Sequence, residues 1–122
     1  MKIALTSQNK RTISGHAGKC TRFYVYDINE NKEVVSKELL ELDPEMMLHY
    51  HFHGVNPEAH HPLFDMDVII TGDMGPGFPM KLAKRGIQAF MTDIVELDEV
   101  IEKALAGTLP MLQPSSNYHC SH

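Results

Sequence analysis

Five short stretches of this chain carry the apolar patterns that predict β-strands. KIALTS (residues 2–7) is the first, and a polar, glycine-containing loop follows it. TRFYVYDI (21–28) and EVVSKELLEL (33–42) flank the turn signal NENK, which predicts a hairpin. MDVIIT (66–71) is a continuous apolar run, typical of a buried central strand, and IQAFMT (87–92) is the fifth strand.

Helices are predicted mainly in the second half of the chain. FPMKLAKRG (78–86) predicts a helix that Gly86 ends. In LDEVIEKALAG (97–107) the apolar residues recur at helical spacing and form one stripe, which Gly107 ends. A short helix is also expected over residues 58–63. Strand–helix–strand–helix order predicts a βαβ unit, so the fold expected is a single α/β domain with a mixed five-stranded sheet covered by helices.

Composition excludes several classes of protein. The 122 residues are 43% hydrophobic and 22% charged, which suits one packed domain. A formal net charge of −5 argues against nucleic-acid binding, which needs a basic face. No apolar run approaches the roughly 20 residues that span a bilayer, so no membrane association is expected. The N-terminus does not resemble a signal peptide, and a cytoplasmic protein is expected.

Cysteine usage limits the kinds of metal site. Cys20 and Cys120 are the two cysteines, and no C-x-x-C occurs. A four-cysteine zinc site or ferredoxin-type ligation by this chain alone is therefore excluded. The closing HCSH could still chelate a metal through His119, Cys120 and His122, or it could belong to an inert, mobile tail.

Five of the eight histidines lie between residues 46 and 61. His49, His51 and His53 form His-x-His-x-His, and in an extended chain all three side chains would project to one face. In a helix only His49 and His53 would share a face. His60 and His61 could add a ligand if the loop folds back. We interpret the segment as a flexible lid that contributes metal ligands; the alternative is a solvated loop with incidental histidines.

A second candidate site combines the loop after the first strand with the turn after the fourth. His16 lies between Gly15 and Gly18, where a large ligand could approach the imidazole closely, and Cys20 follows as a thiolate ligand or a buried residue. GDMGPGFP (72–79) follows a buried strand and opens a helix, whose N–H groups and dipole favour an anion. Asp73 is expected to cap that helix. The alternative is a tight turn that needs glycine sterically.

Three stretches together resemble the dinitrogenase iron–molybdenum cofactor biosynthesis family. SGHAGKCTRFYVYDI (14–28) places a histidine-containing, glycine-rich loop before an aromatic strand. DVIITGDMGPGFPMKLAKRGIQAF (67–90) has the order strand, glycine-rich turn, helix, strand, and VIEKALAGTL (100–109) ends a helix in Ala-x-x-Gly-x-Leu. The resemblance covers residues 1–110, and the order and spacing of the motifs carry it.

The resemblance implies a fold, a ligand and a site. The fold would contain a ribonuclease H-like motif over residues 1–110, with residues 111–122 as a flexible tail. The family includes NifX-type carriers and the C-terminal domain of NifB-type proteins, so the ligand implied is an iron–molybdenum or iron–sulfur-type cluster. Cofactor-biosynthesis or cluster-acceptor proteins would be its partners. The cofactor-binding residues would be Gly15, His16, Cys20, Asp73, Met74, Gly75 and Gly77.

Two functions follow, and catalysis is not expected. The first is a non-catalytic carrier of a metal–sulfur cluster; the alternative is a simple zinc-, nickel- or copper-binding module built on the histidine-rich segment. Ribonuclease H-like folds often host two-metal nucleases, which need clustered carboxylates beginning on the first strand. KIALTS contains no acidic residue, so a nuclease is not expected.

Overall fold

Five strands form one mixed sheet in the computed structural model, which describes residues 1–48, 51, 60–75 and 77–107. The strands are β1 (Lys2–Thr6), β2 (Arg22–Ile28), β3 (Val34–Glu41), β4 (Val68–Thr71) and β5 (Gln88–Met91), in the spatial order β3-β2-β1-β4-β5. β2 is antiparallel to both β1 and β3, whereas β4 is parallel to both β1 and β5. The predicted hairpin, parallel pair and α/β class are confirmed.

Both helices begin at the predicted residues, and the first ends three residues before the predicted Gly86. α1 (Phe78–Ala83) has a proline in its first turn, where the missing N–H has no partner to lose. The chain after α1 passes through Gly86 at φ 77°, a left-handed conformation that favours glycine. α2 (Leu97–Ala106) ends at Gly107, also left-handed, as the sequence predicts.

The centre of the sheet is buried on both faces because β1 and β4 alternate between two apolar clusters, while the edge strand β3 is largely exposed. Ala4 and Ile69 face the cluster that contains Leu82 of α1, together with residues of the connection from β3 to β4. Leu5 and Ile70, their neighbours in sequence, face the opposite cluster. That second cluster is closed by α2 through Leu97, Val100 and Ile101. This two-sided burial explains why MDVIIT reads as a continuous apolar run.

The short helix expected over residues 58–63 lies further along the chain. The structure has a 3₁₀ helix at Pro62–Asp65, preceded by the extended residue His61. The imidazole of His61 accepts a hydrogen bond from the Leu63 N–H, and Pro62 occupies the first turn, so helical geometry begins only after His61. Residues 58 and 59 lie outside the described part of the chain.

Other expectations stay predictions. The tail at residues 111–122, with His119, Cys120 and His122, lies outside the described residues. The sheet order and layers do not by themselves test the ribonuclease H-like motif. Among the helices in the described part of the chain, none combines the length and hydrophobicity needed to cross a membrane.

Candidate functional site

Two loops meet at the carboxyl ends of β1 and β4. The His16 loop (residues 13–20) follows β1, and the glycine-rich turn (residues 72–75) follows β4. Because β1 and β4 are parallel neighbours, both loops leave the same edge of the sheet. The chain then runs to β2 on one side and to β5 on the other. Where the chain continues from two neighbouring parallel strands toward opposite sides of the sheet, their carboxyl ends are the usual ligand site of α/β sheets, since the diverging loops leave a crevice.

Backbone hydrogen bonds join these two loops directly. The Ala17 N–H donates to the Asp73 carbonyl over 3.2 Å, and the Gly72 N–H donates to the Ser14 carbonyl over 2.9 Å. Ser14 is held in turn to β1, because its N–H donates to the Thr6 carbonyl over 3.0 Å. The His16 loop and the glycine-rich turn therefore form one connected unit.

Glycine allows the two loops to lie close together where they touch. A Cβ built on Gly15 would lie 3.1 Å from the Cβ of Asp73, and one on Gly72 would lie 3.1 Å from the Ser14 carbonyl oxygen. Gly75 and Gly77 differ, since a Cβ at either position meets no atom within 4 Å. The predicted close approach at Gly15 is therefore to Asp73 of the protein itself, while Gly75 and Gly77 face open space.

His16 presents its imidazole to solvent from a strained backbone. Its φ of 54° is left-handed, a conformation that costs non-glycine residues about 1–2 kcal/mol. Its side chain is 81% exposed, and Nδ1 lies 3.8 Å from an Asp73 carboxylate oxygen. That separation exceeds a hydrogen bond, so the contact is electrostatic and strengthens when the imidazole is protonated. With Nδ1 turned to Asp73, Nε2 is the nitrogen directed away from the protein's own carboxylate.

Cavities lie on both sides of His16. One of about 360 Å³ is lined by residues of the first loop, including Gln8, Ser14 and Cys20. The other, of about 160 Å³, lies between the His16 loop and the glycine-rich turn. His16 and Lys19 line both cavities. The sequence did not identify Lys19, Gln8 or Ser14 as site residues. In the sequence alone, Lys19 is indistinguishable from other polar loop residues.

Cys20 lines the larger cavity with a thiol that already has partners. The residue is buried, and Sγ donates to the Arg22 carbonyl over 3.0 Å. The Gln8 side-chain oxygen lies 3.4 Å from the same sulfur. The structure thus places Cys20 next to His16, as the sequence suggests. For Cys20 to bind a metal, its sulfur would have to give up the bond to Arg22.

Asp73 and Met74 have roles other than helix capping. The residue before α1 is Gly77, and no side chain caps this helix, so the predicted Asp73 cap is wrong. α1 has only six residues, which leaves little of the dipole on which the predicted anion site depended. Met74 is 6% exposed and packs in the cluster beneath α1, so it is a core residue of the turn.

His61 is a structural residue in this conformation. It is fully buried, with Nε2 2.6 Å from the Met46 carbonyl oxygen and Nδ1 accepting from the Leu63 N–H over 3.0 Å. These partners require the neutral form with the proton on Nε2. Burial is the main cause that lowers the pKa of His61 below its usual 6.5. Both ring nitrogens are occupied by protein partners rather than directed at a metal.

The other predicted metal ligands are only partly described. The His51 ring packs edge-on against His61, with ring centroids 5.1 Å apart. His60 is exposed and lies 3.7 Å from an Asp65 carboxylate oxygen. His49 and His53 lie outside the described residues. Within the described ranges, no three histidine, cysteine or acidic side chains are grouped closely enough to hold a metal ion.

Comparison with known proteins identifies the family. The model of the family described as "Dinitrogenase iron-molybdenum cofactor" matches residues 1–107. The chain belongs to the dinitrogenase iron-molybdenum cofactor family. The match includes both the His16 loop and the glycine-rich turn, and it ends where α2 ends at Gly107. The resemblance inferred from the motifs is therefore confirmed.

Relatives of this family member share its sequence or its fold. An uncharacterized protein of Methanocaldococcus jannaschii, MJ0580, is 32% identical over 111 residues, covering 89% of each chain. The crystal structure of PH0822 aligns with a TM-score of 0.68 at 19% identity, covering 92% of this chain and 96% of that one. The apo form of the orange protein from Desulfovibrio gigas aligns with a TM-score of 0.61 at 19% identity, covering 91% and 92%. These structural likenesses confirm the fold alone.

Proposed function

We propose that this member of the dinitrogenase iron-molybdenum cofactor family is a small, non-catalytic carrier. Its cargo would be an iron–sulfur or iron/molybdenum–sulfur cluster. It would bind in the crevice formed by the two cavities on either side of His16. One observation carries the proposal: an 81% exposed imidazole, held in a left-handed conformation, projects between two cavities at the carboxyl edge of the sheet.

The donor set favours a cluster over a bare ion. A structural zinc ion takes four protein ligands, and a catalytic one takes three. Around the crevice the structure offers the accessible imidazole of His16, a thiol at Cys20 that is already hydrogen-bonded, and the Asp73 carboxylate. A cluster brings its own sulfide ligands and needs few from the protein. Sparse ligation also suits a carrier, which must release what it binds.

Local charge also suits an anionic cargo, although the protein is acidic. Net charge is −5, but His16 and Lys19 both line the crevice, and Asp73 is the acidic residue that lines the smaller cavity. The Lys19 ammonium would attract an anion over short distances, and salt would screen that attraction.

Family membership supports the same conclusion. The family description names the iron–molybdenum cofactor, and the related orange protein was solved in an apo form, which by definition lacks a ligand. Proteins that assemble such cofactors, or that accept clusters, would be the partners, and the cytoplasm would be the site of action. The ribonuclease H-like motif would serve as a binding scaffold, since β1 supplies no carboxylate for two-metal catalysis.

A divalent-metal module built on the histidine-rich segment is the second candidate. The observation that favours it is that three histidines lie near one another. The His51 ring contacts His61, and the exposed His60 directly precedes His61. Zinc, nickel or copper would be the metal. This function predicts stoichiometric metal without sulfide, and it does not involve His16.

Paired histidine variants separate the two candidates. Wild-type protein and the variants His16→Ala and His60→Ala would be purified without oxygen or an affinity tag. Each would be analysed for iron, molybdenum, sulfide and divalent metals, and its visible spectrum recorded. The two histidines are matched, because each is exposed and each lies near one carboxylate.

The carrier predicts iron with sulfide and broad visible absorption in wild type, reduced in His16→Ala and unchanged in His60→Ala. Sulfide-free protein with one equivalent of zinc, nickel or copper, lowered in His60→Ala but not in His16→Ala, would establish the second candidate. Cluster binding that is equal in all three proteins would show that the crevice is not the site.

A further inference from the structure

Two buried hydroxyl groups lie beneath the crevice. Thr6 ends β1 and Thr71 ends β4, and both residues are fully buried. Their Oγ1 atoms are 3.0 Å apart, although 65 positions separate them in the chain. Burying a hydroxyl is unfavourable unless it forms hydrogen bonds, and valine would fill the same volume in a strand without that cost. The hydroxyls therefore need an explanation beyond packing.

Each hydroxyl reaches a carbonyl group of a loop above it. Thr6 Oγ1 donates to the Ser14 carbonyl over 2.6 Å, in the His16 loop. Thr71 Oγ1 lies 3.1 Å from the Asp73 carbonyl, in the glycine-rich turn, and 3.3 Å from the Ser14 carbonyl. The pair thus contacts Ser14, two residues before His16, and Asp73, whose carboxylate lies beside the His16 imidazole.

The two hydroxyls share their acceptors between the two loops. Each hydroxyl has one proton, and three acceptors lie within reach: the Ser14 carbonyl, the Asp73 carbonyl and the other hydroxyl. Thr6 can donate to Ser14 while Thr71 donates to Thr6, to Ser14 or to Asp73, and the Asp73 N–H lies 3.4 Å from Thr71 Oγ1 as a further donor. In each arrangement the Asp73 carbonyl still receives the Ala17 N–H and the Ser14 carbonyl still receives the Gly72 N–H, so every buried group has a partner.

We propose that Thr6 and Thr71 form a hydroxyl latch that positions the His16 loop against the glycine-rich turn, and that this latch determines how tightly the crevice holds its cargo. The inference rests on the proposed carrier function and adds to it two positioning residues. Neither threonine touches the cargo, because both are fully buried. They act through Ser14 and Asp73, whose spacing fixes where the imidazole of His16 projects.

Hydrogen exchange tests the latch in the protein without cargo. Thr71→Val removes the hydroxyl while keeping the shape, and Thr71→Ser restores it. In Thr71→Val the amides of Ala17 and Gly72, which join the two loops, should exchange roughly tenfold faster. The amide of Thr92 should not change, because it donates to the Thr71 backbone carbonyl rather than to its side chain.

If the amides of Ala17 and Gly72 exchange at the wild-type rate in Thr71→Ser, the hydroxyl of residue 71 is responsible for their protection. Uniform acceleration of all amides in Thr71→Val, or no acceleration, would overturn the latch. If Thr71→Val does not fold, Thr6→Val tests the same prediction, since the two hydroxyls are in contact and both reach the Ser14 carbonyl. Where both single variants fold, the double variant should have little more effect than either one alone.

Cluster retention tests the second half of the proposal. Each protein would be reconstituted with ferrous iron and sulfide under argon and then challenged with a chelator. Thr71→Val should lose iron and sulfide roughly tenfold faster than wild type, and Thr71→Ser should match wild type. Equal retention in wild type and Thr71→Val would overturn the claim that the latch determines how tightly the cargo is held, and would leave the carrier function standing. If wild type assembles no cluster, the proposed function itself is wrong and the retention claim falls with it, while hydrogen exchange still decides whether the latch joins the loops.

Discussion

Lys19 is the positively charged side chain that lines both cavities. It lies three residues after His16, so its charge is located where an anionic cargo would bind. Lys19→Gln should weaken retention of a reconstituted iron–sulfur cluster by roughly fivefold, since one charge at contact distance in water contributes about 1 kcal/mol. The measurement is the rate of iron release to a chelator at several salt concentrations.

Lys2→Gln provides the matched control for that charge. It removes the same charge at the opposite end of β1, away from the carboxyl edge. Release from Lys2→Gln should equal that from wild type, and the difference between Lys19→Gln and wild type should shrink as salt rises. A loss of retention in Lys2→Gln as large as that in Lys19→Gln would show that only net charge matters.

His61 should make stability depend on pH. Its pKa in the folded protein lies below the unfolded value of 6.5, mainly because the ring is buried. As pH falls below about 6.5 the unfolded chain binds a proton that the folded protein does not, so the free energy of unfolding decreases, by at most about 1.4 kcal/mol per pH unit. Above that pH the contribution of His61 is constant. Urea unfolding between pH 5 and 8 measures this.

His61→Asn should remove that pH dependence while keeping the start of the 3₁₀ helix. Asparagine can accept from the Leu63 N–H, as Nδ1 does, but it does not titrate. His60→Asn is the control, because it removes an exposed histidine and leaves the buried ring of His61 in place, so most of the dependence below pH 6.5 should remain. The assignment fails if His61→Asn retains the full dependence of wild type below pH 6.5.

Two glycines near α1, one directly before it and one three residues after it, offer a test of backbone strain. Gly86 has a φ of 77°, and a Cβ there would meet no atom within 4 Å, so Gly86→Ala costs only backbone strain. We expect its unfolding free energy to fall by about 1 kcal/mol in urea denaturation. Gly77→Ala at the other end, with φ −81° and equally open space, should be close to neutral. Equal effects would contradict the strain argument.

Strands and helices were predictable here because their signals are local. Alternating and continuous apolar runs identified β1 to β5, and a glycine identified the end of α2, whereas α1 ends three residues before the predicted Gly86. The helix expected over residues 58–63 lies further along the chain because its start depends on His61, whose imidazole replaces a capping side chain. Nothing in the order of residues shows that a histidine will be buried with both nitrogens bonded, since Met46 and Leu63 approach it only in the folded chain.

The candidate site was predictable only in part. The sequence indicated His16 and the glycine-rich turn, because in each case the glycines and the potential ligands are close together in the sequence. The pairing of Thr6 with Thr71 could not be predicted, since it joins positions 65 residues apart. Cys20 was correctly placed beside His16, but its hydrogen bonds depend on the fold. Binding by His49 and His53 stays a prediction.

The entire domain should be stabilised when it carries its cargo, because a ligand that binds only the folded state lowers its free energy. At a free cargo concentration about 100 times the dissociation constant the gain is about 2.7 kcal/mol. For a domain of this size we expect the melting temperature to rise by about 10 °C. Scanning calorimetry under argon, with and without reconstitution from ferrous iron and sulfide, would measure the shift.

His16→Ala supplies the control for that shift. The variant should melt close to wild type without cluster and should gain little on reconstitution. A rise in His16→Ala equal to that in wild type would show that iron and sulfide bind elsewhere in the domain. No rise in either protein would mean that the folded state has no preference for the cluster.

The position of the crevice between β1 and β4 also bears on which ligands the domain can bind. From the shared carboxyl edge one loop leads to β2 and the other toward β5, so residues can be inserted in either loop without crossing the other loop or shifting a strand. Each doubling of a flexible loop's length costs only about 0.6 kcal/mol in closure entropy. The same sheet can therefore carry cavities of different width between these loops. Selectivity for the size of a bound cluster can thus change at small thermodynamic cost while β1 and β4 stay in place.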